Sequence, residues 1–238
     1  MCIRDSNYSG YSQTCEVFAD SLKYAWDIRG SQHGKALNIV QSILDNNSIK
    51  SCKKNQGTGY NYWGVFLQER GFYDKAIEKL ELAYNIRLSL KDSIGMASVL
   101  SNMSFVESEK ENIEKAIELA IKSINILENH PDSKVLGNSY LNLSIIYENN
   151  KDENNAVLYN QKALDIFVLK KDTTNIGNAI YQLANKYYNF RKFELSKAKY
   201  VQALEIFKKI KDEVGIACLL YTSPSPRDAT LSRMPSSA

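Results

Sequence analysis

The sequence predicts an all-α fold, an α-α superhelix of about five stacked helix pairs. Four columns of residues recur at intervals of 40 residues: Ala76, Ala116, Ala156 and Ser196; Ala83, Ser123, Ala163 and Ala203; Ile86, Ile126, Ile166 and Ile206; Asp92, Asp132, Asp172 and Asp212. Amphipathicity alone gives a period near 3.6 residues, so the shared register indicates a structural repeat. Before residue 218 the only proline is Pro131, which favours helices because proline breaks helix interiors.

Each repeat divides into two helices joined by a polar or glycine turn. The pattern predicts first helices at about 58–70, 96–110, 135–149 and 175–190, and second helices at about 73–91, 113–129, 153–170 and 193–210. Small residues stand where paired helices must approach closely: Gly64, Ser104, Ser144 and Ala184. Larger residues stand beside them, as close packing requires: Trp63, Met103, Leu143 and Leu183. The recurring aspartate column is expected to cap the helices that follow it.

The register also predicts the domain organisation. We expect a degenerate first repeat and loop over 7–57 and a repeat array over 58–217, with units at about 58–92, 93–132, 133–172 and 173–212 and a further unit truncated at 217. Residues 1–6 and 218–238 match translated sequencing adapters. We therefore expect both segments to be artefacts, and 218–238 to be disordered. A truncated repeat leaves an apolar end face, which predicts self-association through that end.

Composition argues against several classes of function. The formal net charge is only +3, whereas binding to nucleic acid needs concentrated positive charge, so no nucleic-acid partner is expected. No apolar run approaches the roughly 20 residues of a membrane span. Cys15 and Cys52 are too few for a disulfide framework and lack partner histidines for zinc, so we interpret them as packed or incidental. No metal or cofactor is expected. The compartment stays open, with the cytoplasm as default and the periplasm as the alternative.

The side chains that carry catalysis do not form a recognisable set. His33 and His130 are far apart in the array, and His130 stands before Pro131 at a predicted helix end, which favours a structural role. Neither a glycine-rich phosphate loop nor an HExxH spacing occurs. A run of carboxylates on one helix and turn is interpreted as a solvated face: Glu107, Glu109, Glu111 and Glu114. We therefore predict that the chain is not an enzyme.

Two segments carry a family resemblance. Residues 140–147 (YLNLSIIY), followed by Ala156 and Ala163, resemble the tetratricopeptide repeat, and so do residues 60–64 (YNYWG) with the alanines that follow them. A 40-residue unit without a closing proline is similar to the long-helix subclass of kinesin light chains and bacterial signalling proteins. The resemblance implies a right-handed superhelix whose first helices line a concave surface that binds proteins or peptides.

A polar column lies one residue before the large core column: Tyr62, Asn102, Asn142 and Gln182. Carboxamides present a donor and an acceptor together, which suits the backbone of an extended peptide. The resemblance implies an asparagine ladder of this kind and puts Asn102 and Asn142 on it, with Gln182 a conservative departure and Tyr62 a break. Further residues are expected on the same face: Asn61, Val65, Ser101, Phe105, Asn138, Leu141, Ile145, Asn178, Tyr181, Asn185 and Tyr188.

Several interpretations stay open. The amides could instead bond only between neighbouring repeats or face water. None of the residues expected on the face is basic, so a clamp for a partner's terminal carboxylate is not expected. The leading hypothesis is a non-catalytic scaffold that binds a peptide in the concave groove. The alternative is a sensory or regulatory segment of a larger bacterial signalling protein, a histidine kinase or a transcriptional regulator, with its output domain after residue 217. An attached enzyme domain is a third possibility.

Overall fold

A computed structural model describes the backbone of residues 6–130 and 134–222 and the side chains of 13–130, 135–217 and Leu219. Within these residues eleven α-helices follow one another, and one 3-10 helix (Asn47–Ser51) separates the second from the third. The helices are α1 (Ser6–Ile28), α2 (His33–Asp45), α3 (Lys53–Gln68), α4 (Tyr73–Ser89), α5 (Ser93–Glu109), α6 (Ile113–Glu128), α7 (Lys134–Asn149), α8 (Glu153–Leu169), α9 (Thr173–Asn189), α10 (Phe193–Ile210) and α11 (Glu213–Thr222). The predicted all-α fold of repeating helix pairs is confirmed.

One turn type closes most of these helices and explains the polar junctions. A residue with positive φ follows the helix, either Gly71 or one of six other residues: Lys91, Glu111, Lys151, Lys171, Arg191 and Lys211. After α8, the backbone N–H of Lys171 donates to Val168 O (3.0 Å) and that of Asp172 to Phe167 O (3.0 Å). This is the Schellman arrangement, which pairs carbonyls that the helix end would otherwise leave exposed. Positive φ recurs at intervals of 20 residues from 71 to 111 and again from 151 to 211, which limits the length of the helices between these turns.

The aspartate column caps the next helix, as expected. Asp92 Oδ1 accepts from Gly95 N (2.9 Å), Asp172 Oδ1 from Asn175 N (3.3 Å) and Asp212 Oδ1 from Gly215 N (2.9 Å). Such a cap satisfies one of the free N–H groups of the first turn. The fourth member of the column, Asp132, lies outside the described residues.

Replacing Lys171 with glycine should stabilise the chain by about 1 kcal/mol, because a side chain at positive φ is strained and glycine is not. Gly71 already fills the equivalent position of an earlier turn. Lys197→Gly is the matched control, because Lys197 is exposed in the interior of α10 and glycine there should cost about 1 kcal/mol. Urea unfolding of both variants checks the prediction, and a loss of stability in Lys171→Gly would refute it.

The helices form two compact units, the first with α1–α6 and the second with α7–α11. In the first unit, Phe18 and Leu22 of α1 belong to a core cluster with Val40 and Phe66. A Cβ on Gly64 of α3 would lie 2.6 Å from Leu80 Cγ of α4, so the predicted close approach of paired helices is present. Apolar burial of this kind is the main source of stability in stacked repeats.

In the second unit, Ile180 and Ala184 of α9 belong to a core cluster with Tyr200, Phe207 and Leu219 of α10 and α11. The expectation of disorder after residue 217 therefore does not hold for residues 218–222, because α11 continues through Thr222 and Leu219 is buried. Residues 1–5 and 223–238 lie outside the described part of the chain. Self-association through this end stays a prediction.

Cys15 and Cys52 form a disulfide bond, with their Cα atoms 5.6 Å apart. The interpretation of these cysteines as packed is correct, since both pack in the core cluster, but the bond between them shows that they are not incidental. Their separation of 37 residues does not match the repeat interval, so the register gave no reason to pair them. The fold pairs them because the middle of α1 packs beside Cys52, the residue that precedes α3.

Candidate functional site

In the first unit, the predicted face lies on α3 and α5, the first helices of neighbouring repeats. Asn61, Val65, Asn102 and Phe105 are half-buried there, whereas Ser101 is buried and so does not belong to the surface. The amide Nδ2 of Asn102 donates to Asn61 Oδ1 at 2.9 Å. The bond across the repeats that we left open as an alternative is thus present.

The Asn61–Asn102 bond uses only half of each carboxamide. A carboxamide has two donor hydrogens and a carbonyl acceptor, so the pair keeps both hydrogens of Asn61 Nδ2 and the acceptor Asn102 Oδ1. Neither atom has a hydrogen-bond partner within the described residues. Two neighbouring repeats therefore present a donor and an acceptor side by side.

Tyr62 belongs to an aromatic cluster and not to the amide pair. Its ring lies 4.5 Å from that of Trp26 on α1 and 6.4 Å from that of Phe66, measured between centroids. Burial raises the pKa of the Tyr62 phenol, and the negative charge of Asp27 adds to this effect. Tyr62 therefore packs against α1 at the edge of the predicted face on α3 and α5.

A pocket of about 340 Å³ lies between α3 and α5, beside the amide pair. It is lined by Lys54, Thr58, Asn61, Tyr62, Arg87, Asp92, Ile94, Gly95, Ser98 and Val99. Thr58 and Ser98 stand in the 40-residue column of Asn138 and Asn178, so the pocket lies on the predicted face.

Arg87 also lines the candidate pocket, although the sequence pattern did not predict it there. Its side chain is buried beside the pocket, where Nη1 donates to Asp92 Oδ2 (2.7 Å) and Nη2 to Thr58 Oγ1 (2.6 Å). Arg87 shares its column with Leu127, Phe167 and Phe207, so no column of basic residues signalled it. The expectation of a face without basic side chains is wrong here. Asp92 forms an ion pair with Arg87, however. Among the described residues that line the pocket, Lys54 is therefore the one positive charge without an ion pair.

In the second unit, the predicted residues lie on α7 and α9. Asn138 and Asn178 are exposed, and the others are half-buried: Leu141, Asn142, Ile145, Tyr181, Gln182, Asn185 and Tyr188. Several are engaged within the unit: the Tyr200 hydroxyl donates to Asn185 Oδ1, and the rings of Tyr188 and Phe193 meet edge to face at 5.6 Å. Asn142 also interacts with another residue of the chain. Asn142 and Asn185 are therefore engaged within the chain.

Buried charge joins neighbouring first helices of the second unit. Lys186 of α9 is fully buried, and its Nζ lies 2.7 Å from Glu148 Oε2 of α7, while Asn189 Nδ2 donates to Glu148 Oε1 (2.6 Å). Burial lowers the pKa of the Lys186 ammonium, and the Glu148 carboxylate opposes this shift. The pair holds two helices in register.

The expectation that Glu107 lies on a solvated face is wrong. It is only 2% exposed and accepts hydrogen bonds from Lys115 Nζ (2.6 Å) and Asn112 Nδ2 (2.8 Å). Burial raises the pKa of Glu107, but these two hydrogen bonds outweigh it and hold the pKa below its usual range. Within the described residues no group of histidine, cysteine or carboxylate side chains could hold a metal ion, and no described helix is long and apolar enough to cross a membrane.

The comparison with protein families agrees with this geometry. The tetratricopeptide repeat model matches residues 55–129, which run from α3 to the end of α6. The chain has the tetratricopeptide-repeat fold. A comparison with curated protein sequences gave no significant match.

Solved tetratricopeptide-repeat structures of kinesin-light-chain type are similar to the chain. BtubC (BKLC) from P. vanneervenii has a TM-score of 0.59 at 15% identity, over 96% of this chain and 97% of that one. The nearly identical TPR-like repeats assigned to a kinesin light chain of Podosopora anserina give 0.55 at 14% identity, over 84% and 99%. At these identities the similarity shows the fold alone.

A third similar structure is a Signal Transduction ATPase with Numerous Domains from Pyrococcus horikoshii that has a tetratricopeptide repeat sensor. Its TM-score is 0.63 at 16% identity, and the match covers 94% of this chain but only 36% of that protein. A tetratricopeptide-repeat segment of this size therefore also occurs within a much longer chain.

Proposed function

We propose that this chain is a non-catalytic scaffold that binds an extended peptide segment across α3 and α5. The observation that carries this proposal is the Asn61–Asn102 pair, whose bond leaves one amide donor and one carbonyl acceptor unused. An extended peptide offers the matching groups, a backbone C=O and an N–H, without using its side chains. Tetratricopeptide-repeat proteins are in general interaction scaffolds, which agrees with this role.

The surroundings of the pair suit a peptide of mixed character. Half-buried Val65 and Phe105 offer apolar contact, and the adjoining pocket of about 340 Å³ can take one side chain. Among the described residues that line the pocket, Lys54 is the charged side chain that forms no ion pair, so we expect a neutral or mildly acidic segment. Asn142, Gln182 and their neighbours on α7 and α9 are proposed as a second contact region.

Removing the side-chain amide of Asn102 should weaken peptide binding about tenfold, the loss expected from one or two hydrogen bonds that the peptide no longer makes. The test selects binders to the full chain from a displayed library of short random peptides. The affinity of the best peptide is then measured by calorimetry for wild type, Asn102→Ala and Asn61→Ala.

The matched control is Asn85→Ala, since Asn85 is an exposed asparagine on the second helix α4, away from the pair. This variant should bind like wild type. If Asn102→Ala unfolds at lower urea but binds the peptide as tightly as wild type, the pair serves only to join repeats and the ladder proposal fails.

A sensory or regulatory segment of a larger signalling protein is the second candidate. The observation that favours it is the match to a signalling ATPase with a tetratricopeptide repeat sensor, in which the matched segment is only 36% of that protein. Reading the uninterrupted gene decides between the two candidates. An output domain in the same reading frame supports the sensor, and a stop codon after one more repeat supports the free-standing scaffold.

A further inference from the structure

We propose that the Cys15–Cys52 disulfide is a redox-sensitive clasp that orders the start of α3 and, through it, the peptide-binding pocket. The first step is the position of the bond. It joins the middle of α1 to the residue directly before α3, and the carboxamide of Asn55 also donates to the Cys15 carbonyl. Both contacts fall at the same end of α3.

The start of α3 is a weak helix without this support. Its first seven residues are KKNQGTG, in which Gly57 and Gly59 each cost about 1 kcal/mol relative to alanine. No side chain caps its N-terminus, because Cys52 occupies the capping position and its sulfur is in the disulfide. A helix terminus with these properties needs a restraint from outside.

A better helix former at either glycine would press on a neighbouring side chain, which would have to shift to accept it. A Cβ at Gly57 would lie 3.1 Å from Arg87 Nε, and one at Gly59 would lie 3.0 Å from Leu44 Cδ2. The start of α3 is thus pressed between α2 and the end of α4. The clasp compensates for the flexibility that this close approach imposes.

The same segment forms one wall of the pocket. Lys54 and Thr58 line it, and Thr58 Oγ1 accepts the hydrogen bond from Arg87 Nη2. Loosening residues 53–59 therefore moves pocket-lining groups directly. The remainder of α1 stays attached after reduction, because Phe18, Leu22 and Ala25 are buried and Trp26 packs on Tyr62. The change is local to the segment that the disulfide holds.

The chemical step is thiol–disulfide exchange with a dithiol reductant. A thiolate of the dithiol attacks one sulfur, the Cys15–Cys52 bond breaks, and a mixed disulfide forms. The second thiol of the reductant then closes its own disulfide. The two electrons and two protons of the dithiol end on the Cys15 and Cys52 thiols.

Hydrogen–deuterium exchange of the full chain, oxidised and then reduced with dithiothreitol, tests the clasp. A disulfide that closes a loop of this size stabilises by about 2–4 kcal/mol in general. We expect amides 53–59 to exchange at least about tenfold faster after reduction, a change of about 1.4 kcal/mol. Helices α9 and α10 should stay unchanged. The Cys15→Ser, Cys52→Ser double variant should exchange like the reduced protein and not respond to dithiothreitol.

Three outcomes overturn the proposal: equal exchange in both redox states, equal acceleration throughout α3–α6, or free thiols at both Cys15 and Cys52, located by alkylation and peptide mapping, in protein kept in oxidised glutathione. The link to the pocket rests on the proposed function and has its own measurement. The peptide selected above should bind the oxidised chain more tightly than the reduced chain, and equal affinity contradicts the link. If no peptide binds in either state, the proposed function fails, while the exchange result still decides the clasp.

Discussion

Glu148→Gln should lower the free energy of unfolding by about 3 kcal/mol, because it leaves the Lys186 ammonium buried without its counter-charge. Lys186 is fully buried, and its Nζ lies 2.7 Å from Glu148 Oε2. Removing one member of a buried ion pair costs far more than the pair contributes, since desolvation of the remaining charge is no longer offset. Glutamine keeps the shape and one carbonyl acceptor, so the measured loss reports the charge.

The deficit should shrink as the pH rises. Burial lowers the pKa of folded Lys186, whereas the unfolded chain keeps its proton up to the ordinary value of 10.5. Between these two pKa values the unfolded state binds more protons, so stability rises with pH. Glu148 opposes the downward shift, so its loss widens this window. Urea unfolding of variant and wild type at neutral pH and at alkaline pH below 10.5 should show converging curves.

Two further variants separate the buried charge from other causes. Lys186→Met combined with Glu148→Gln should recover most of the stability lost in Glu148→Gln alone, because the double change leaves no unpaired buried charge and the same column holds Phe66, Val106 and Ile146, all buried and apolar. Glu118→Gln removes an exposed ion pair with Lys122 and should change little. If Glu148→Gln and Glu118→Gln prove equally mild at neutral pH, Lys186 is not held as a buried charge.

The 40-residue register predicted most of the fold, because every repeat in a stack must satisfy the same packing constraints at the same positions. Small residues such as Ser104 and Ala184 are required wherever paired helices touch, and both are fully buried. The aspartate caps could also be predicted from the sequence, because the capping residue and the first turn of the helix are neighbours in sequence. Register is therefore a reliable guide to whatever every repeat must do alike.

Features that occur in one repeat only could not be read from the register. Lys186 stands in an apolar column and Arg87 in another, and a lone departure from a column looks like noise until its partner is located. The partner of Asn102 is Asn61, a neighbour of the column and not a member of it. Asn160 shows the same limit: it is fully buried in a column with Leu80 and Ala120, and its amide atoms have no partner among the described residues.

The second large loss of stability is expected at the contact between Phe167 of α8 and Gly137 of α7, two residues from different columns. Phe167 is 1% exposed, and an ideal Cβ on Gly137 would lie 2.5 Å from its Cε1 atom. Phe167→Ala should cost about 3–5 kcal/mol, because a buried ring leaves a cavity that the helices fill only in part. Gly137→Ala should cost about 1–3 kcal/mol, because the ring must move away from the new methyl group.

In the first unit, the equivalent pair of positions combines a methyl group with a smaller side chain. These positions hold Ala97 and Leu127, both fully buried, so a methyl group on the first helix goes with a smaller side chain on the second. Gly137→Ala combined with Phe167→Leu should therefore be more stable than the sum of the two single changes allows, with a coupling of about 1–2 kcal/mol. Urea unfolding of the four proteins measures this coupling. Strict additivity would mean that the two positions do not share a contact, and size matching between columns would then not explain the glycines.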